Sequence, residues 1–271
     1  MTLDSSTARD RAFVKMFEIV DASRWTGDNT NAEINDLRPL LLLMDIGSCA
    51  SAEKHTGVNC VTASMGDVVI EHYPKIGELL ELRASPVDKG NTSLNIAVSV
   101  VAHGCADENN DHHDGGDNEH RMAHTKRVCE AFFTYVTTRG PDGEKRCVPP
   151  LQTTTMNGED AWERTLARFR KQLIRSEQAV TNQHRVDYYT IPRHKAIFES
   201  SEVVLPSHQN HMSHLFGGVV MGWMCKSVTT ACVMATRLPL TKFRIRAIQR
   251  VDFPKGADVS GTYRIVYYSL V

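Results

Sequence analysis

The sequence predicts an α+β protein in which one helix-plus-sheet unit is built twice. Three observations carry this. One helical pattern near the N-terminus is followed by a run of antiparallel-looking strands, not by alternating βαβ units. The same order of elements starts again at Ser200. The two helices align through Met44-Asp45 and Met224-Cys225, and the segments after them keep their spacing, VVIEHYPKIGELLELRASPV against AIQRVDFPKGADVSGTYRIVYYS.

Taken in order, Phe13 to Ala22 reads as a strand. Asp36 has the chemistry of an N-cap, and Pro39 is tolerated in a first turn. Leu37, Leu40, Leu41, Met44 and Ser48 then recur at helical spacing, and Lys54, His55 and Gly57 supply a C-terminus, so a helix is predicted over 37–55. Strands follow at Asn59–Ser64, Val68–Tyr73 and Glu78–Val87. After the turn Asp88-Lys89-Gly90-Asn91 comes a fourth strand in which Leu94, Ile96, Val98 and Val100 alternate with smaller or polar residues. Val128–Thr137 is a fifth. The polar insertion over 104–126 holds His112, His113, His120 and His124, whose spacing fits no common zinc pattern, and it reads as a solvated hairpin insertion. Asp160–Arg175 is an amphipathic helix, with Trp162, Leu166, Phe169 and Leu173 on one face and a solvated basic face opposite. The predicted organisation is a first unit over 13–150, a linker with that helix over 151–195, and a second unit over 196–271. The second unit lacks counterparts of Ser93–Val101 and Val128–Thr137, so it is expected to be truncated, with a sheet that something else must complete.

A chain of 271 residues suits one large domain or two modest ones. Its 41% hydrophobic and 23% charged residues are globular values, and a net charge of −1 gives no global attraction to nucleic acid. No apolar run is expected to span a bilayer, and Met1 to Asp10 lacks a signal-peptide core. The seven cysteines are odd in number, scattered, and form no C-x-x-C pair, which points to a reduced intracellular compartment.

The chemistry concentrates in HQNHMSHLFGGVVMGWMCKS, residues 208–227. Phe216, Val219, Val220, Trp223, Met224 and Val228 predict a mostly buried helix that opens on Gly217-Gly218. Bare N–H groups at a helix tip can take a carbonyl oxygen gaining negative charge, while the plainer reading is that the glycines let the helix pack closely against a sheet. In the first helix Leu37-Arg38 stand where the second has Gly217-Gly218, and Asp45 stands where the second has Cys225. A mid-helix aspartate among Leu41, Leu42, Met44 and Ile46 must be paired or hydrogen-bonded, and desolvation raises its pKa as a general base requires. It can equally be a structural acid capping a neighbouring segment. Each copy holds half of a site that the other lacks, which favours one composite site between them. Two rivals use other residues: a metal site on His208, His211 and His214, whose spacing is not that of zinc helices, and Cys225 as a nucleophile, against the usual inertness of a buried thiol. No metal or cofactor is expected.

With these residues in view the chain resembles the cytosolic double-hotdog acyl-CoA thioesterases, above all the type also found fused to a lipid-binding START domain. The resemblance is carried by LLLMDIGSCASAEKHTGVNCVTASMGDVVIEH, GNTSLNIAVSV, CEAFFTYV and ESSEVVLPSHQNHMSHLFGGVVMGWM, and covers Phe13 to the C-terminus apart from the polar insertion. It implies tandem hotdog folds, each a long helix wrapped by an antiparallel sheet, paired in one chain and assembled as trimers in the cytoplasm. It also implies hydrolysis of acyl-CoA with Asp45 as general base, or as nucleophile, and Asn210 positioning water and carbonyl. N–H groups at Gly217 and Gly218 would take the oxyanion, and Lys89 and Gly90 would contact the CoA phosphates. Asp45→Ala and Asn210→Ala are expected to abolish hydrolysis with the fold intact. The family has Gly-Asn in place of Ser213-His214 and an acid in place of Cys225. The first change is expected to alter the Asn210 loop and, with the truncation, favours the alternative of a weak or inactive hotdog that binds acyl-CoA or assembles with partners. The second is expected to leave a dead counterpart site at Arg38 and Cys225.

Overall fold

Helix α1 (Arg38–Thr56) lies against one face of a six-stranded antiparallel sheet. The computed structural model describes residues 12–22, 25, 36–104, 125–140, 142–151, 198–253 and 264–269. Residues 105–124 of the polar insertion, the amphipathic helix expected at 160–175 and most of the linker lie outside these residues. The strands are β1 (Val14–Ile19), β2 (Cys60–Met65), β3 (Val68–Val69), β4 (Leu79–Lys89), β5 (Ser93–His103) and β6 (Thr125–Thr137) in the first unit. The second holds β7 (Phe198–Val203), helix α2 (Gly217–Thr236), β8 (Ala247–Ile248), β9 (Val251–Asp252) and β10 (Arg264–Ser269).

The large sheet runs β1-β4-β5-β6-β2-β9. Its inner face and α1 bury Leu40, Leu41, Met44, Leu82, Ile96, Val98, Phe133 and Tyr135 completely. The alternation expected of β5 is real but muted, because its polar positions Asn95 and Ser99 are buried as well. α1 begins one residue later than its polar signal suggests, with Leu37 as N-cap. Asp36 still serves the tip, its Oδ1 accepting the Arg38 N–H at 2.9 Å. At the other end Gly57 takes φ 69°, a left-handed conformation that favours glycine, and its N–H donates to the Glu53 carbonyl.

The strand expected over Val68–Tyr73 is cut short at Val69. Beyond it Ile70 N–H donates to the Arg246 carbonyl, whereas Glu71 and His72 N–H turn to Val128, so the segment changes partners within two residues. The duplication is visible in the pairing: β10 pairs antiparallel with β7 as β4 does with β1. The units are joined along strand edges, β9 on β2 and β8 on β3, and through their helices. A Cβ on Gly218 would sit 2.7 Å from Leu42 Cα, and one on Gly222 would sit 2.9 Å from Arg38 Cγ. α2 therefore runs antiparallel to α1, and its glycines do permit close packing, against a helix rather than a sheet.

The expectation that no apolar run could span a bilayer needs correcting. α2 has 20 residues and is long and apolar enough to cross a membrane by length and composition. Its packing on α1 accounts for part of that apolarity. The cover is unequal, however: Val228 is 47% exposed where its counterpart Ser48 is fully buried.

Candidate active site

Asp45 is completely buried, two turns into α1 and facing α2. Its Oδ1 accepts hydrogen bonds from Thr62 Oγ1 on β2 and Tyr135 Oη on β6, both at 2.8 Å. Its Oδ2 accepts the Gly218 N–H at 2.8 Å. Burial raises the Asp45 pKa above the ordinary carboxylate value, and the Gly218, Tyr135, Thr62 and Gly217 donors oppose that rise. An ionised carboxylate offers about four acceptor positions, so this one is nearly saturated. Ser48 completes the cluster, 2.9 Å from Tyr135 Oη. The Tyr135 phenol is itself pushed well up by burial and by the neighbouring acid, so it acts as a donor.

The composite pair singled out by the repeat is therefore in direct contact: Asp45 from one unit caps the Gly-Gly tip of the other. This contact is the structural reading of Asp45, an acid capping a neighbouring segment. In this state Gly218 directs its N–H at the acid.

Asn210 lies before the tip, on a hairpin that returns through Gln209 and Leu215. Its Oδ1 accepts the Met212 and His214 N–H groups at 2.9 and 3.0 Å, so the loop's own backbone fixes the amide plane. Among the described residues its Nδ2 has no hydrogen-bond partner. Ser213 holds the left-handed φ of 60°, which explains the glycine that the resemblance places there. His214 Nδ1 is buried without a partner among the described residues.

The remaining candidates are dispersed. Lys89 is the last residue of β4, and its Nζ donates to the Val148 carbonyl at 3.1 Å. Gly90 turns the chain tightly, its N–H donating to Ser93 O. Lys89, Leu94, Tyr135 and Thr62 form one register row across β4, β5, β6 and β2, which puts Lys89 about 14 Å from Thr62. Two of the three histidines are engaged separately: His208 Nδ1 accepts Leu205 N–H and its ring meets Trp223 edge-on, whereas His211 pairs with Glu53. Burial pushes the Cys225 thiol up to about 12, which leaves it protonated at neutral pH and a poor nucleophile. The tip of α1, where the counterpart site would lie, is occupied by its own Asp36.

Sequence reasoning missed Thr62, Tyr135 and Ser48. Thr62 and Tyr135 sit in strands whose alternation signals only burial. The one available signal was the need of a buried Asp45 for donors, which names a requirement without naming its suppliers.

No family model matches the chain. It is 32% identical over 246 residues to the acetyl-coenzyme A thioesterase of Mus musculus, a match covering 86% of this chain and 40% of that protein. It is 29% identical over 244 residues to acyl-coenzyme A thioesterase 11 of Mus musculus, covering 86% and 37%. The chain thus spans about two fifths of the length of these relatives. Similar solved structures include an apo hexameric acyl-CoA thioesterase (TM-score 0.46, 21% identity, 63% of this chain and 96% of that one) and an acyl-CoA hydrolase from Bacillus cereus (0.45, 19%, 65% and 97%). Over 86% of its own length the chain is thus similar to a part of proteins named as acyl-CoA thioesterases.

Proposed function

We propose that the protein hydrolyses acyl-CoA thioesters at the junction of α1 and α2. The observation that carries this is a buried carboxylate from one unit bonded to the bare helix tip of the other. In this reading Asp45 takes a proton from water, the resulting hydroxide adds to the thioester carbonyl, and the tetrahedral intermediate expels CoA thiolate, leaving free fatty acid. Asn210 orients the water and carbonyl through its Nδ2, which has no partner among the described residues. The N–H groups at Gly217 and Gly218 stabilise the oxyanion, with Gly218 turning from Asp45 Oδ2 to the substrate oxygen. Losing one such donor typically costs about 100- to 1000-fold in rate. Lys89 and Gly90 are too far away to touch the reacting atoms, and their proposed role is confined to the CoA phosphates. Assembly as a trimer of double hotdogs and a cytoplasmic location belong to the same proposal. Six described cysteines that are all free thiols support the latter.

A second reading, a unit that binds acyl-CoA without cleaving it, is favoured by the near-saturation of Asp45. Thiol release from acetyl- to palmitoyl-CoA decides between them. Hydrolysis that Asp45→Asn removes supports the enzyme; tight CoA-thioester binding with no turnover at any chain length supports the binding module.

A further inference from the structure

The Asn210 hairpin is internally rigid, but its internal hydrogen bonds do not set where it sits relative to Asp45. On one side it runs into α2. On the other, the contact is made by His211, whose Nε2 lies 3.3 Å from Glu53 Oε1 and 3.4 Å from Asn59 Oδ1. Glu53 lies two turns beyond Asp45 on α1, about 12 Å along its axis. The same Oε1 also accepts the Cys60 N–H at 3.1 Å. Cys60 opens β2, and two residues further on Thr62 donates to Asp45. One carboxylate oxygen thus joins the helix carrying the acid, the strand carrying its donor and the loop carrying the amide.

We infer that Glu53 and His211 are positioning residues, acting through Asn210, for the reaction proposed above, on which this inference rests. Glu53 fixes the start of β2, and His211 brings the adjoining Asn210 to the same framework. The side chains are 25% and 53% exposed, so the pair adds little to global stability. A misplacement of about 1 Å at a reacting group can nevertheless cost up to about 100-fold in rate.

The full chain is assayed with acetyl-CoA by thiol release. His211→Ala is expected to lower kcat about 5- to 100-fold with KM changed less than about twofold and the melting temperature unchanged. His211→Gln, which keeps a donor for Glu53, is expected to restore at least about half of kcat, and Glu53→Gln, which keeps the acceptor, to stay within about threefold of wild type. An unchanged kcat in His211→Ala overturns the inference. So does a loss shared equally by His211→Gln, or a loss that follows a lowered melting temperature. Wild-type protein that hydrolyses no acyl-CoA overturns the parent reading instead, before any variant is made.

Discussion

Asp45 Oδ2 accepts the backbone N–H of Gly218 at 2.8 Å, so the acid of one helix is the cap of the other. Removing its carboxyl removes more than a base. Asp45→Ala leaves the buried Gly218 N–H and the half-buried Thr62 hydroxyl without their acceptor, while Tyr135 Oη keeps the Asp45 carbonyl and Ser48. The variant is expected to lose hydrolysis and about 3 kcal/mol of stability. The sequence-based expectation of an intact fold is thereby revised for this substitution. Asp45→Asn keeps one acceptor oxygen and is expected to lose hydrolysis with a smaller stability cost. Urea unfolding of both variants measures the difference.

The same bonds set a pH dependence. Burial is the largest influence on Asp45 and raises its pKa, with the four donors opposing it. A general base works ionised, so the acidic limb of kcat/KM is expected above the ordinary aspartate value of about 3.9. Thr62→Ala or Tyr135→Phe removes a donor that favours the charge, and each is expected to move the limb to higher pH. For stability the sign is opposite to that of a salt-bridged aspartate. A folded pKa above the unfolded one favours the protonated state, so this group's contribution is present below the unfolded pKa and lost as pH rises through the folded one. That loss is expected to disappear in Asp45→Asn, as read by unfolding free energies across the interval.

The two helix-facing glycines differ in what surrounds them. A methyl on Gly218 meets backbone, Leu42 Cα at 2.7 Å and Leu41 O at 3.0 Å. A methyl on Gly222 meets mainly the flexible Arg38 side chain, Cγ at 2.9 Å and Cβ at 3.1 Å. Gly218→Ala is expected to cost about 1–3 kcal/mol by forcing the helices apart, and to depress kcat by lengthening the bond to Asp45. Gly222→Ala is expected to cost distinctly less. Paired thermal melts and rate assays test the order; equal costs would refute the close-approach argument.

Ser213 is a non-glycine residue at φ 60°, exposed, on the hairpin that holds Asn210. Ser213→Gly relieves the left-handed strain while adding freedom to the unfolded chain, and is expected to stabilise by about 0.5–1 kcal/mol. Chemical denaturation measures it.

The thiols supply a last test. Cys225 and Cys60 are pushed up to about 12 and about 11 by burial, whereas Cys147 is exposed. Iodoacetamide at neutral pH is expected to label Cys147 ahead of either and to leave hydrolysis intact. Loss of activity in step with Cys225 labelling would return the cysteine-nucleophile reading.

Much of the architecture is legible along the chain because it rests on local periodicity. The 3.6-residue recurrence of Leu40, Leu41, Met44 and Ser48 marks α1, and the spacing kept between Met44-Asp45 and Met224-Cys225 marks the repeat. From the same comparison, the reciprocal loss of glycines in one helix and of the acid in the other already selects Asp45 with Gly217-Gly218. What periodicity could not supply is the identity of the donors. Thr62, Tyr135 and Gly218 reach Asp45 from 17, 90 and 173 residues away. Those meetings are decided by sheet register and helix crossing, which depend on how the whole core packs and leave no periodic trace. The tertiary structure alone also decided that Gly218 donates to the acid and that His211 leans on Glu53.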